Sequence, residues 1–260
     1  MKYIGICGHR GAGKNSIAYL LANTMDYIIT NQRPENFDKF FKKWCTEFMT
    51  NDHLIYDLNL ENIYIASFTD DILQTIYLHT GIPIESMTSD YCKDNFLVNM
   101  ETFELVPKET VDEGNIRTRS QMFSLRNSLH SVCPLVKDVH MPLRDFIIYY
   151  GFDVMQRFFG VDFWIRSLKA VEPLWGCNWD YESNYKIFID TKTECERDYI
   201  KDKGGIIIKV TRPKHVLPNS PISQDIEFNE DYVIENTSLY DLSDTIYNIA
   251  QQIIQANEGN

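Results

Sequence analysis

Gly8-His9-Arg10-Gly11-Ala12-Gly13-Lys14-Asn15-Ser16 is the stretch that decides the fold of this chain. It follows the apolar run Tyr3-Ile4-Gly5-Ile6-Cys7 and precedes Ile17-Ala18-Tyr19-Leu20-Leu21, an order that reads as strand, glycine-rich loop, helix. The glycines let the backbone curl until successive N–H groups face one anion. The first turn of the following helix adds its free N–H groups and its positive dipole end. Lys14 is long enough to reach the outer phosphates of a bound anion, and Ser16 offers a hydroxyl to Mg2+. The plain pattern sets Ser or Thr directly after the lysine, whereas here Asn15 intervenes. Arg10, Gly11, Ala12, Gly13, Lys14, Asn15 and Ser16 therefore form a candidate phosphate site. The competing reading is a chance glycine-rich turn, and the strand and helix on either side weigh against it.

Working outward, four more apolar runs have the length and composition of strands: 62–68, 185–190, 206–210 and 232–236. Helical spacing appears at 14–25, 37–45, 70–80, 142–159, 162–171, 193–203 and 239–256. Strands alternating with helices imply a parallel sheet covered on both faces, with ligands beyond the carboxyl ends of the strands. That edge would carry the loop at 8–16, the segment 67–71, Asp190-Thr191-Lys192 and Arg212. The expectation is an α/β three-layer fold with a five-stranded parallel sheet, in one domain over 1–260. Insertions are expected at about 26–61 and 81–140, the second a helical or loop segment acting as lid and substrate wall.

The 260 residues carry 44% hydrophobic side chains and a formal net charge of −12. Such acidity argues against a nucleic-acid partner, which calls for a basic face, and leaves room for a local basic pocket. The six cysteines, at 7, 45, 92, 133, 177 and 195, include no C-x-x-C pair, so no zinc or redox site is expected. The first strand begins too early for a signal peptide, and no apolar run reaches the length of a membrane span. The expectation is a cytoplasmic protein without membrane contact.

Four segments, in this order and spacing, resemble the bacteriophage-type deoxynucleoside monophosphate kinases, a branch of the P-loop kinases. They are the phosphate loop with Ser16-Ile17-Ala18; Ala66-Ser67-Phe68-Thr69-Asp70; Leu143-Arg144-Asp145-Phe146 through Gly151-Phe152-Asp153 to Arg157, then Asp162-Phe163-Trp164; and Ile189-Asp190-Thr191-Lys192 with Glu196, followed by Gly204-Gly205 and Val210-Thr211-Arg212-Pro213. Tyr232-Val233-Ile234-Glu235-Asn236 is similar to the family's final strand. Several nucleoside monophosphate kinases also carry a spacer such as Asn15. The resemblance spans most of the chain apart from about 26–61 and 95–140.

The resemblance implies a P-loop NTPase-type fold and transfer of the ATP γ-phosphate, with Mg2+, to a deoxynucleoside monophosphate. The product would serve viral DNA synthesis in a host cytoplasm. It implies catalytic roles for Lys14, Arg144, Arg157, Asp190 and Lys192, with Arg117 or Arg119 as lid residues. Ser16 and Asp190 would hold Mg2+ directly or through water, and Arg212 would lie along the adenine. Phe68, Asp70, Asp71, Arg144, Asp153 and Trp164 would contact the acceptor. The family tends to dimerise, which makes a homodimer plausible on that ground alone. Each role has a structural alternative. Arg157 could pair with Asp153 at i, i+4, Asp70 and Asp71 could complement a helix dipole, and Arg212 could simply end a strand.

The chain also departs from the family. Lys192 stands where the family usually has arginine, which keeps the charge and loses the bidentate fork. Ile148, Phe152, Leu73, Pro221 and Gln224 replace polar family residues. Those losses motivate two other readings: a kinase-fold protein that binds nucleotide without phosphorylating, or a P-loop kinase with a non-nucleotide acceptor.

Overall fold

A computed structural model describes residues 1–9, 11–30, 36–51, 60–122, 138–175, 184–213 and 228–258. Of the residues singled out above, Arg10, Cys133, Cys177, Pro221 and Gln224 lie outside this set. The chain divides into two compact units, one of residues 1–68 with 171–260 and one of residues 69–170.

The first unit is built on five parallel strands: β1 (Lys2–Cys7), β2 (Ile63–Ala66), β6 (Tyr185–Phe188), β7 (Ile206–Thr211) and β8 (Tyr232–Glu235). Their order across the sheet is β2-β6-β1-β7-β8, so all five runs read as strands form one all-parallel sheet with helices around it. Alternation along β1 sends Ile4 and Ile6 to one face and Tyr3 and Gly5 to the other. On the first face lie α1 (Lys14–Thr30), α2 (Phe37–Thr50) and α9 (Ser243–Glu258). Ile17, Leu20, Leu21 and Met25 repeat at helical spacing along α1 and are fully buried. The aromatic stripe of α2 packs into the same core through Phe37, Phe41 and Phe48, so this part of the 26–61 segment belongs to the unit's interior.

On the opposite face, α8 (Glu194–Asp202) sets Tyr199 and Ile200 against Tyr3, Gly5 and Phe188. It opens with a capping box in which Thr193 accepts from Glu196 N and the Glu196 side chain accepts from Thr193 N.

The second unit departs from the sequence expectation. Residues 81–140 read as a helical or loop insertion, yet β3 (Phe96–Asn99), β4 (Leu105–Pro107) and β5 (His140–Pro142) form an antiparallel sheet of order β4-β3-β5. Strands of three or four residues are too short to display alternation, and Pro107 and Pro142 sit at strand ends where the missing N–H is tolerated. Around this sheet lie α3 (Asp70–Thr80), α4 (Ile84–Thr88), α5 (Asp90–Asn95) and α6 (Leu143–Ile148). The last runs into a π-helical stretch, Tyr149–Gln156, and then the single turn Arg157–Phe159. The α7 helix (Phe163–Trp175) begins in this unit. Ile72, Ile76, Val98, Met141, Leu143 and Phe146 are core residues here. Among the described residues, no helix is long and apolar enough to cross a membrane.

Candidate functional site

Strands β1 and β6 are neighbours, but the chain leaves them toward opposite faces, through α1 after β1 and through α8 after β6. Their carboxyl ends therefore flank the point where the strand order reverses, the place where open parallel sheets bind ligands. The loop at 8–13 stands on one side of it and the turn Ile189–Thr193 on the other.

The loop is shaped by close approach at both ends. Gly8 has φ +140°, and a Cβ there would lie 2.2 Å from the carbonyl oxygen of Val210 in β7. Gly13 has φ +90°, and its Cβ would lie 2.3 Å from Nδ2 of Asn236. Both positions need a residue without a side chain. Ala12 N donates to His9 O at 3.2 Å, closing the turn. Lys14 begins α1 and folds back over the loop, its Nζ donating to Gly8 O and His9 O at 3.0 Å each. Burial pushes the Lys14 pKa down to about 8, with the Lys192 ammonium acting in the same direction and Asp190 against it. Asn15 is exposed and Ser16 half-buried in the first turn.

Across this point Asp190 is buried; its Oδ1 accepts from Phe68 N at 3.0 Å and its Oδ2 from Lys192 Nζ at 3.2 Å. Burial opposes the Lys192 charge, but Asp190 and Glu196 outweigh it and hold the pKa above the usual lysine value. The side chain as a whole stays 35% exposed. The turn is held from beneath by Glu196, whose Oε2 accepts from Lys192 N at 2.5 Å and Thr193 N at 2.8 Å. Burial, with Asp190 adding to it, pushes the Glu196 carboxyl up to about 7, against the two N–H bonds and Lys192.

The structure thus brings Lys14, Asp190, Lys192 and Glu196 into one electrostatic cluster beside the glycine loop. Phe68 lies in the same unit but is buried, its ring stacked on Phe188 at 4.2 Å; its contribution here is its N–H. Arg212 is exposed one residue past the end of β7.

The remaining candidates belong to the second unit, where they form pairs of their own. Arg119 binds Asp153 through two guanidinium nitrogens, Nε to Oδ2 at 2.6 Å and Nη2 to Oδ1 at 2.8 Å, and its backbone N donates to Asp145 Oδ2. Arg144 reaches Asp94 at 2.9 Å and Asp90 at 3.2 Å. Arg117 turns back onto Gly114 O and Ile116 O. Trp164 is buried and donates Nε1–H to Gly151 O at 2.8 Å. Asp70 and Asp71 occupy the first turn of α3, and Arg157 is exposed.

Oxygen donors are what Mg2+ takes, usually one or two from protein with the rest from water and phosphate. The Ser16 hydroxyl and the Asp190 carboxylate fit that chemistry. Among the described residues, no group of three or more His, Cys, Asp or Glu side chains is placed to hold a metal. Sequence reading missed Asn236 as part of the site. Its contact to Ala12 spans 224 positions, and a lone Asn after a strand carries no signal for that. Comparison of the chain with protein-family models gives no match, and comparison with curated proteins gives none either.

Proposed function

We propose that the chain is a P-loop phosphotransferase that moves the γ-phosphate of ATP to a deoxynucleoside monophosphate. The observation that carries this is the glycine loop at the sheet's switch point, with Lys14 on one side and the Asp190–Lys192 pair on the other. The backbone of Arg10–Lys14 cradles the donor's phosphates, and Lys14 exchanges its carbonyl partners Gly8 O and His9 O for phosphate oxygens. Lys192 stabilises the charge that builds on the transferring group. Ser16 and Asp190 would hold Mg2+, which would supply positive charge against the phosphate oxygens. Arg212 lies along the base of the donor. The family resemblance gives the acceptor phosphate to Arg144 and Arg157, with Arg117 or Arg119 as a lid cation.

A second reading, nucleotide binding without transfer, draws on the ion pairs of Arg119 with Asp153 and of Arg144 with Asp90 and Asp94, which neutralise two of those cations. Turnover of Mg-ATP with each deoxynucleoside monophosphate, beside a Lys14→Ala control, separates the two. Diphosphate product from one or a few acceptors, lost in the control, supports transfer. Saturable ATP binding with no product from any of them refutes transfer to a deoxynucleoside monophosphate and leaves binding alone or a different acceptor.

A further inference from the structure

We infer that Asn236 is a positioning residue that aims the phosphate loop, an inference resting on the reading of that loop as a nucleotide cradle. Asn236 stands one residue past β8, is 4% exposed, and is fixed by its own backbone N–H, which donates to Thr211 O at 2.7 Å. From there its side chain reaches under the loop and donates Nδ2–H to Ala12 O at 2.8 Å. The same nitrogen lies where a Cβ on Gly13 would be, 2.3 Å from it. One amide group therefore fills the space that Gly13 leaves and fixes the direction of the Ala12 carbonyl.

The consequence follows from the geometry of the peptide bond. In a planar trans peptide the C=O and the following N–H point in opposite directions. Holding Ala12 O toward Asn236 turns the Gly13 N–H the other way, away from β8. A loop whose donors are set before the anion arrives loses less freedom on binding than one that must order around it. Asn236 thus acts on the ligand through Ala12 and Gly13 and need not touch it.

Two near-isosteric variants test this on the full chain, with Mg-ATP as the probe. Asn236→Leu removes the donor without adding charge, and Asn236→Asp removes it and adds charge. Three readouts are taken: the Mg-ATP dissociation constant, amide hydrogen exchange of residues 11–17 without nucleotide, and KM for ATP against kcat where turnover is seen. Both variants are expected to bind Mg-ATP at least fivefold more weakly and to exchange faster at 11–17, with KM raised more than kcat is lowered. Weakening in Asn236→Asp alone would mark a charge effect and overturn the inference, as would affinity within twofold of wild type in both. If the wild type fails to bind Mg-ATP, the nucleotide reading falls. The exchange data then decide the positioning claim, and unchanged protection at 11–17 refutes it. If one variant does not fold, the other carries the same comparison.

Discussion

Replacing Gly8 by alanine perturbs the junction of β1 and the loop in a way that can be compared with a control in the same unit. A Cβ at Gly8 meets Val210 O at 2.2 Å, a backbone atom in a strand paired on both sides. Nothing can rotate away, so the strand itself must shift by most of an ångström. Strained backbone at φ +140° costs about 1–3 kcal/mol, and overpacking a closed contact costs about 1–3 kcal/mol more. Gly204, at the end of α8, also has positive φ (+68°), but a Cβ there meets nothing within 4 Å. Gly204→Ala therefore carries only the left-handed penalty, about 1–2 kcal/mol. At an m-value of about 3 kcal/mol/M, the urea midpoint should fall by about 1–2 M for Gly8→Ala and by about 0.5 M for Gly204→Ala. Far-UV circular dichroism in urea reads both. Equal shifts in the two variants would refute the close approach of Gly8 to β7.

Lys14→Ala should weaken Mg-ATP binding by about a hundredfold, the scale of losing charge-assisted hydrogen bonds to phosphate; calorimetric titration reads it, and an unchanged affinity would sink the role given to Lys14. The Glu196 carboxyl, raised from 4.5 to about 7 chiefly by burial, makes the folded chain hold a proton that the unfolded chain releases. Its contribution is complete below pH 4.5 and is lost as pH rises toward 7, about 3 kcal/mol in all. Glu196→Gln should flatten that slope, so the difference between the variant and wild-type urea midpoints should change in the variant's favour between pH 5 and 8. Burial pushes the Cys7 and Cys45 thiols up to about 11. Peptides carrying them should stay unalkylated by iodoacetamide in native protein at pH 8, and mass spectrometry showing rapid labelling would contradict their burial. Arg119→Met leaves Asp153 without its bidentate partner and should cost about 2 kcal/mol in the stability of the second unit, read by hydrogen exchange of α6 amides.

The parallel sheet was legible because each of its strands is a run of apolar or β-branched residues bounded by turn chemistry. Ile206–Thr211 between Gly205 and Arg212 is the clearest case. The loop was legible because glycines with large positive φ cannot be replaced by other residues without strain. The small sheet of β3, β4 and β5 was not, since three-residue strands carry no period and their stability comes from pairing across the insertion. Arg119 was read as a lid residue, and nothing local announces that Asp153, 34 positions on, holds its guanidinium. Helical spacing located Leu143–Phe159 but could not distinguish its π-helical centre from an α-helix, because the same apolar residues serve both.

The central position of β1 has a consequence for how the protein is made. Its two neighbours in the sheet, β6 and β7, and the helix α9 that packs on α1, all come from the last third of the chain. The pairing of Lys2 with Tyr185 closes a loop of about 180 residues before any ladder bond repays it. At about 5–20 residues per second, the glycine loop leaves the ribosome many seconds before the strands that shape it exist. Contacts so distant in sequence make folding slow, and the apolar residues of β1, with the side of α1 that meets α9, stay uncovered throughout that interval. A ribosome stalled before β6 should therefore display a chain that binds chaperones and no nucleotide.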